Sequence, residues 1–300
     1  MATVEVIEVS KRYGRLLALE NINLKMDSNG CVGILGPNGA GKTTLMKIMT
    51  NIIKPTSGRV LINGVNVSEN PSRALRTVGS IVEQPEFYRY LTARETLMFV
   101  CRVKGGSLRY CEDEVARVSK ITEVQGFIDR KTGTYSRGMK QRLALAIALI
   151  NTPDVIILDE PTFGLDPRGM ADIRKTLARI RDERQSLIVM STHLISEVKE
   201  LCDRVIIINS GNIAYDSVSD TSDRILRVRF YEPLKEGLGK LSLDARIGDD
   251  GKTALIRVEN NTPNYFVIRK LIERGLKIRD VDESTSIEEK YLSIVGAKEA

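Results

Sequence analysis

Alternating apolar and polar residues open the chain. Residues 2–9 and 16–25 have this period of two and predict two strands, joined around a turn at residues 11–14. A short apolar run follows at residues 31–35 and stops at a glycine-rich loop, after which a helical pattern begins at Lys42. The first part of the chain therefore predicts strands and a helix on either side of a glycine-rich loop.

Further runs of strand length recur later in the chain, with helical patterns between them. A predicted hairpin spans residues 58–67, where Asn63-Gly64 is typical of a two-residue turn. The other runs occupy residues 77–83, 155–158, 187–191 and 204–209, and the helical stretches among them lie at 168–184 and 195–202. The run at 155–158 is apolar without alternation, as in a parallel strand covered on both faces. Strands that alternate with helices predict an α/β fold with a largely parallel sheet.

The pattern is helical from about residue 91 to residue 150. Thr92 can cap a helix there, with Glu95 placed three residues later as in a capping box. Two adjacent glycines at positions 105 and 106 end this first helix. Residues 137–150 finish with a stretch that is apolar on all sides, which predicts a buried helix.

Beyond the last of these runs, residues 216–224 are rich in Asp, Ser and Thr and predict a linker. The remaining segment, 225–300, predicts a small α+β domain in which no known chemistry is recognisable. Its predicted strands lie at residues 225–231, 253–258 and 277–281, and its predicted helices at 262–274 and 286–295.

Composition narrows the class of protein. Of the 300 residues, 42% are hydrophobic and 28% charged, as in ordinary globular chains. The formal net charge of +6 permits anionic partners, but acidic residues are interspersed with the basic ones, so no nucleic-acid surface is expected. The N-terminus lacks signal-peptide features, and no apolar run approaches the about 20 residues that cross a bilayer. We therefore expect any membrane role to depend on a partner chain.

The four cysteines, Cys31, Cys101, Cys111 and Cys202, show no C-x-x-C spacing. Neither a disulfide framework nor a zinc site is therefore expected, and free thiols in a reducing cytoplasm are the simplest interpretation.

Residues 36–43, Gly-Pro-Asn-Gly-Ala-Gly-Lys-Thr, fit the phosphate-binding pattern G-x-x-x-x-G-K-[ST]. Glycines allow the backbone to turn its N–H groups toward phosphate oxygens, and the following helix presents its positive end to the same anion. Lys42 would contact the β- and γ-phosphates, and the Thr43 hydroxyl would bind Mg²⁺. A flexible glycine turn is the alternative. The nucleotide-binding candidates in this loop are Gly36, Asn38, Gly39, Ala40, Gly41, Lys42, Thr43 and Thr44.

A second candidate site follows the apolar run at 155–158, which ends in Asp159 and Glu160. Acids at the carboxyl end of such a strand are expected beside the phosphate loop. Asp159 can hold Mg²⁺, and Glu160 can take a proton from the attacking water. The alternative is a strand that simply ends in two solvated acids.

Together with further motifs in the same order, these elements resemble the nucleotide-binding subunits of ABC transporters over roughly residues 3–218. Gln84 resembles the Q-loop glutamine, residues 135–142 the LSGGQ-type signature, residues 164–166 the D-loop, His193 the switch histidine and Tyr13 the ring that stacks on adenine. Each also has a structural interpretation: Ser136 and Asp166 as helix caps, Gln84 as a turn residue, and Tyr13 and His193 as packing residues.

The signature departs from the family pattern at one important position. Arg137 stands where its first glycine usually lies, whereas Gly138 is retained; Tyr135 replaces a common leucine. Arg137 would either add positive charge near the nucleotide or extend into solvent.

The resemblance implies the fold of an ABC cassette over residues 1–218: a mostly parallel core sheet, an antiparallel β subdomain, and a helical subdomain at about 88–150.

The resemblance also implies an ATPase that uses ATP and Mg²⁺. Glu160 would be the catalytic base, assisted by His193, Gln84 and Lys42. Metal contacts would come from Thr43, Gln84 and Asp159. The nucleotide contacts would extend from Tyr13 and the phosphate loop to Ser136, Gly138 and Asp166.

In this family two cassettes bind two ATP molecules head to tail, which implies a homodimer or a pair with a related cassette. A separate transmembrane permease is the implied partner, with the chain cytoplasmic and peripheral on the inner face of the membrane. Residues 87–97 and 286–292 resemble the corresponding segments of exporter-type cassettes. The aromatic residues Phe87, Tyr88, Tyr90 and Phe99 would either receive the permease or form the core of the helical subdomain.

Two other functions are weighed. A soluble ABC ATPase acting on ribosomes or DNA usually carries two cassettes or an inserted coiled coil, neither of which occurs here. A GTPase or small-molecule kinase could use Asn151 and Asp154 as an N-x-x-D element, but that element contains Pro153 and would leave the signature helix unexplained.

Overall fold

The chain forms two compact units, residues 1–217 and 218–300. The computed structural model describes residues 2–27, 29–183, 186–217, 224–234, 243–248, 250–258 and 263–296. Most of the expected linker therefore lies outside the described residues, as do the last residue of the helix predicted at 168–184, the first of that predicted at 262–274, and residues 297–300.

A six-stranded sheet forms the centre of the first unit. Its strands are β3 (Gly30–Leu35), β6 (Val78–Ile81), β7 (Val155–Asp159), β8 (Leu187–Thr192), β9 (Arg204–Asn209) and β10 (Asn212–Ser217), arranged in the order β10-β9-β3-β8-β7-β6. Every neighbouring pair is parallel except β9 and β10. Every residue of β3, β7 and β8 is buried, which explains why these strands are apolar without alternation. The predicted α/β fold with a largely parallel sheet is confirmed, whereas β10 had not been predicted.

The register of this sheet brings three loops to one edge. Leu35, the last residue of β3, lies opposite Thr192 of β8, and Asp159 of β7 lies opposite Ser191 of β8. Because parallel strands end on the same side, the loops after β3, β7 and β8 begin next to each other.

A second, antiparallel sheet joins β1 (Val4–Tyr13), β2 (Leu16–Met26), β4 (Ser57–Ile62) and β5 (Val65–Asn66) in the order β2-β1-β4-β5. The turn expected at residues 11–14 is wrong by two positions, because β1 continues to Tyr13, which pairs with Leu16. Lys11, Arg12 and Tyr13 lack the alternation of a half-buried strand, so hydropathy could not reveal this backbone pairing. The Asn63-Gly64 hairpin is confirmed, with φ of 49° and 75°.

Seven helices accompany these sheets in the described part of the first unit. They are α1 (Lys42–Met49), α2 (Pro71–Ala74), α3 (Ala93–Val103), α4 (Leu108–Ile121), α5 (Arg137–Ala148), α6 (Pro167–Asp182) and α7 (Ile195–Leu201). The capping box is confirmed, since the Glu95 N–H donates to Thr92 Oγ1 and the Thr92 N–H to Glu95 Oε2. The segment between α4 and α5 contains two short 3-10 turns rather than continuous helix.

The expectation of four free thiols is wrong for one pair. Cys101 of α3 and Cys111 of α4 form a disulfide, with their Cα atoms 5.7 Å apart, and both residues are fully buried. The two helices pack side by side across a short connection, which brings together residues whose spacing in sequence suggested no pairing. Cys31 and Cys202 are free and buried.

The second unit contains an antiparallel sheet in the order β12-β13-β11-β14. Its strands are β11 (Arg224–Phe230), β12 (Ala245–Ile247), β13 (Thr253–Val258) and β14 (Ile278–Thr285), with helices α8 (Asn264–Glu273) and α9 (Ser286–Gly296). Apolar side chains from β11, β13 and α8 form its core. Strand β12 was not predicted, and β14 extends four residues beyond the predicted strand. Across both units, none of the described helices combines the length and apolar character that spanning a membrane requires.

One close approach in the central sheet is directly testable. A Cβ atom on Gly79 of β6 would lie 1.7 Å from the carbonyl oxygen of Ala148, at the end of α5, whereas a Cβ on Gly126 would meet nothing within 4 Å. We expect Gly79→Ala to lower the free energy of unfolding by about 1–3 kcal/mol or more, because the backbone must shift. Gly126→Ala should change it by about 0.5 kcal/mol or less. Urea unfolding of both variants measures the difference, and equal midpoints would contradict this packing.

Candidate active site

The phosphate loop connects β3 to α1. Its last residue, Gly41, caps α1 with a φ of 109°, and a Cβ atom there would lie 2.7 Å from the carbonyl oxygen of Ala18. Both the left-handed backbone and the close approach require glycine. The first turn of α1 has no acidic side chain, so the positive end of this helix is available to an anion.

The ammonium group of Lys42 is buried at this loop, with only 4% of the side chain exposed. Its Nζ donates to the carbonyl oxygens of Gly36, at 2.8 Å, and Pro37, at 3.1 Å. The same Nζ lies 3.3 Å from Glu160 Oε1. A buried cation requires such partners, since an unpaired charge in the interior is strongly unfavourable.

The two acids follow β7 in different conformations. Asp159, the last residue of the strand, is buried, and its Oδ1 accepts a 2.5 Å hydrogen bond from Ser191 Oγ. Glu160 has a φ of 44°, a left-handed conformation that costs a non-glycine residue about 1–3 kcal/mol. Its N–H is held by Ser191, through Oγ at 3.0 Å and the carbonyl oxygen at 3.2 Å. Ser191 therefore fixes both acids.

The single histidine follows β8 and contacts the second of these acids. Nδ1 of His193 lies 3.1 Å from Glu160 Oε2, and because a carboxylate only accepts, this hydrogen bond requires a proton on Nδ1. Glu160 thus contacts Lys42 with one oxygen and His193 with the other. The structure brings together these three residues, which are distant in sequence.

A cavity of about 520 Å³ opens over the phosphate loop. Eight of the residues singled out from the sequence line it: Tyr13, Asn38, Gly39, Gly41, Lys42, Thr43, Thr44 and Glu160. The half-exposed ring of Tyr13 is part of this lining, with Lys11 Nζ 5.1 Å from the ring centroid. The buried Lys42 is another part of it. A lining that contains an aromatic ring and a cation suits a nucleotide base and its phosphates.

Five lining residues were missed by sequence reasoning: Leu16, Leu17, Ala18, Ser210 and Gly211. The first three belong to β2 immediately after the β1–β2 turn, so a correct placement of that turn would have suggested them. The other two form the β9–β10 turn, which contacts the phosphate loop through the Gly211 N–H and the Ala40 carbonyl oxygen. No sequence signal marks that contact.

Glu160 also lines a second cavity, of about 240 Å³. Thr192, the last residue of β8, lines it together with His193 and Leu194 from the loop that follows. The loop after β7 contributes Thr162, Phe163 and Gly164, and α6 contributes Met170. Glu160 therefore borders both cavities.

Several predicted residues lie outside both cavities. Gln84 is exposed after β6. Ser136 is the N-cap of α5, where its Oγ accepts from the Met139 N–H, and Asp166 is the N-cap of α6, where Oδ1 accepts from the Gly169 N–H. A Cβ atom on Gly138 would meet no other atom within 4 Å. The cap interpretation of Ser136 and Asp166 thus describes their contacts within this chain.

Arg137 is exposed, and its side chain contacts another residue of the same chain. Nη1 donates to the carbonyl oxygen of Gly164, at 3.1 Å. The signature segment and the D-loop are therefore joined within one chain, a contact that neither sequence-based alternative for Arg137 had anticipated.

Oxygen donors suitable for a divalent cation are present, but not as a closed cluster. Within the described ranges, no group of three or more His, Cys, Asp and Glu side chains could hold a metal ion. Thr43 lines the larger cavity, and Asp159 ends the strand beside it. A hydroxyl and a carboxylate fit Mg²⁺, which commonly binds one or two protein oxygens together with substrate phosphates and water.

Comparison with known proteins supports the same interpretation. A family model described as ABC transporter matches residues 19–163. The bacitracin transport ATP-binding protein BcrA of Bacillus licheniformis is 33% identical over 300 residues, covering 98% of this chain and 97% of that protein. The lantibiotic transport ATP-binding protein SrtF of Streptococcus pyogenes is 35% identical over 222 residues, covering 74% of this chain and 93% of that protein.

Among solved structures, the ATP-binding cassette MJ0796, as a dimer in a post-hydrolysis state bound to ADP and Pi, is similar, with a TM-score of 0.65 and 28% identity. The similarity covers 71% of this chain and 97% of MJ0796. The phosphate loop, the paired acids and the full-length likeness to BcrA lead to one conclusion: this chain belongs to the ABC transporter family and is an ATP-binding cassette with ATPase activity.

Proposed function

We propose that this chain is the cytoplasmic ATPase subunit of an exporter, attached to the inner face of the cell membrane through a separate permease. The observation that carries the proposal is that Glu160 contacts both Lys42 and His193 and that Glu160, Lys42 and Tyr13 line one cavity. The relatives named for bacitracin and lantibiotic transport support export and weigh against a ribosome- or DNA-bound role.

In this proposal ATP lies along the larger cavity. Tyr13 stacks on the adenine, and the neighbouring Leu16 and Ala18 supply apolar contact. The backbone from Gly36 to Gly41 and the start of α1 bind the phosphates, with Lys42 contacting the β- and γ-phosphates. Thr43, Asp159 and Gln84 would hold Mg²⁺. When bound, the cation neutralises the charge that builds up on the phosphates.

Hydrolysis requires a base next to the γ-phosphate. Glu160 takes the proton of the attacking water, while His193 holds one of its oxygens at 3.1 Å and contacts the γ-phosphate. Lys42 lies 3.3 Å from the other oxygen and connects the base to the phosphate loop. The strained backbone of Glu160, fixed by Ser191, keeps the carboxylate preorganised.

The complete site requires two cassettes. Ser136 and Gly138 lie at the exposed, positive end of α5, outside the cavities of their own chain. We place them against the γ-phosphate bound by the partner cassette, with Asp166 linking the two sites. ATP then holds the dimer closed and hydrolysis releases it. The dimeric form of MJ0796 supports this arrangement, with either an identical or a related partner.

The aromatic cluster of the helical region favours docking of the permease over core packing. Tyr88, Tyr90 and Phe99 are 64%, 67% and 59% exposed, whereas Phe87 is only partly exposed. The rings of Tyr88 and Tyr90 have their centroids 5.8 Å apart. Exposed aromatic residues grouped in this way are typical of a surface that another protein covers.

The role of Glu160 predicts a specific kinetic phenotype. Glu160→Gln should bind ATP but lower kcat by about 10²–10⁴-fold, because the amide cannot accept the proton. ATPase assays and gel filtration with ATP should show a closed dimer that retains nucleotide. Lys42→Ala is the contrasting control and should lose productive nucleotide binding. Normal turnover by Glu160→Gln would remove Glu160 from the role of base.

Docking at the aromatic cluster predicts a position-dependent cross-link. A photo-cross-linking residue placed at Tyr88 or Arg89 should attach this chain to a multi-span membrane protein in native membranes. The matched control is Tyr265 of α8, which is 59% exposed and lies in the other unit. Cross-linking of equal yield from both units would argue against a specific docking surface.

The Arg137–Gly164 contact predicts a local effect on dynamics. Arg137→Ala should speed hydrogen exchange of the Phe163 and Leu165 amides by up to about five-fold, because a hydrogen bond worth about 1 kcal/mol is lost. Lys140→Ala, which removes a positive charge from the same helix, should leave both rates unchanged. Identical exchange in wild type and Arg137→Ala would show that the contact does not order the D-loop.

A further inference from the structure

We propose that Glu197 is a positioning residue that ties the loop of the catalytic base to the loop of the switch histidine. The inference rests on the proposed function, in which Glu160 and His193 act together in hydrolysis. Glu197 itself lines neither cavity and acts through the two loops.

Glu197 is the third residue of α7 and is completely buried, with 0% exposure. Each of its carboxylate oxygens accepts a hydrogen bond from a different loop. Thr162 Oγ1 donates to Oε1, and Thr192 Oγ1 donates to Oε2 at 2.6 Å. Both threonines are also buried. One side chain therefore spans the two loops without contact with solvent.

The two threonines are close to the reacting groups in sequence. Thr162 lies two residues after Glu160, and Thr192 immediately precedes His193. Both line the smaller cavity, which Glu160 and His193 also border. The contact between Glu160 Oε2 and His193 Nδ1 therefore depends on the positions of two segments, and Glu197 is hydrogen-bonded to both of them.

The directions of the hydrogen bonds are determined by the groups present. Thr192 Oγ1 already accepts the N–H of Leu194, at 3.0 Å, so its own proton is available to Glu197. An ionised carboxylate can only accept, which fits hydroxyl donors on both sides. The arrangement fixes the rotamers of both threonines.

The function of this tie follows from how strongly catalysis depends on position. Ser191 holds the beginning of the base loop through the backbone of Glu160, and Glu197 holds the same loop two residues further on. A displacement of about 1 Å between reacting groups can lower a rate by about 10²-fold. Loss of the Glu197 tie should therefore reduce the chemical step without removing any group that binds ATP.

The test compares full-length Glu197→Gln with wild type. The amide keeps the shape but cannot accept hydrogen bonds at both ends, so we expect kcat to fall by about 10–100-fold, with KM and ATP affinity within about two-fold. Glu114→Gln is the matched control. Glu114 is also a buried carboxylate, but it pairs with Arg117 in the helical region, and its substitution should leave kcat unchanged.

A double-mutant cycle separates positioning from general damage. In a His193→Ala background, Glu197→Gln should lower kcat by no more than about two-fold further, because the contact between Glu160 and His193 that it maintains is already gone. The inference is overturned if Glu197→Gln has wild-type kcat, if its effect is equally large in both backgrounds, or if Glu114→Gln loses as much activity.

Two milder variants cover the case in which Glu197→Gln fails to fold. Thr162→Val removes only the hydrogen bond to Glu197, whereas Thr192→Val removes the bond to Glu197 and the one from the Leu194 N–H. Both variants keep nearly the same shape, and each should lower kcat at unchanged KM; wild-type kcat in both would overturn the inference. Glu160→Gln distinguishes the two levels of failure. If that variant turns over normally, the proposed function fails; if it is inactive while Glu197→Gln is fully active, only the positioning inference fails.

Discussion

The buried ammonium group of Lys42 is the constraint on which the site depends. A cation with 4% of its side chain exposed must be compensated, and the structure supplies two carbonyl oxygens of the phosphate loop and the carboxylate of Glu160. This requirement draws the loop after β7 onto the loop after β3. The ammonium group that would bind the phosphates is thereby in contact with the carboxylate that would activate water. The same ion pair would therefore serve both nucleotide binding and hydrolysis.

The proposed catalytic groups are arranged by the sheet and by buried hydroxyl groups. Parallel register places the ends of β3, β7 and β8 side by side. Ser191 then orients Asp159 through its side chain and Glu160 through its backbone. Glu197 continues the same network on the far side of the base, through Thr162 and Thr192. Interior hydrogen bonds of this kind hold a site more firmly than exposed ones, since no water competes for the partners.

The segments that begin α5 and α6 are organised differently. The N-termini of α5 and α6 are exposed, and their caps, Ser136 and Asp166, make local contacts only. Arg137 connects the two regions by donating to Gly164. The residue that departs from the family pattern therefore makes a contact within its own chain.

Short-range features were determined by the sequence itself. The phosphate loop, the Thr92–Glu95 capping box, the Asn63-Gly64 hairpin and the fully apolar strands are each encoded within a few residues, where backbone geometry and burial follow from local chemistry. Only the tertiary structure decided the Cys101–Cys111 pair, the wall formed by the β9–β10 turn and the tie made by Glu197. These depend on contacts between segments far apart along the chain, and such contacts have no local signal, because a buried polar residue is recognisable only once its partners are in place.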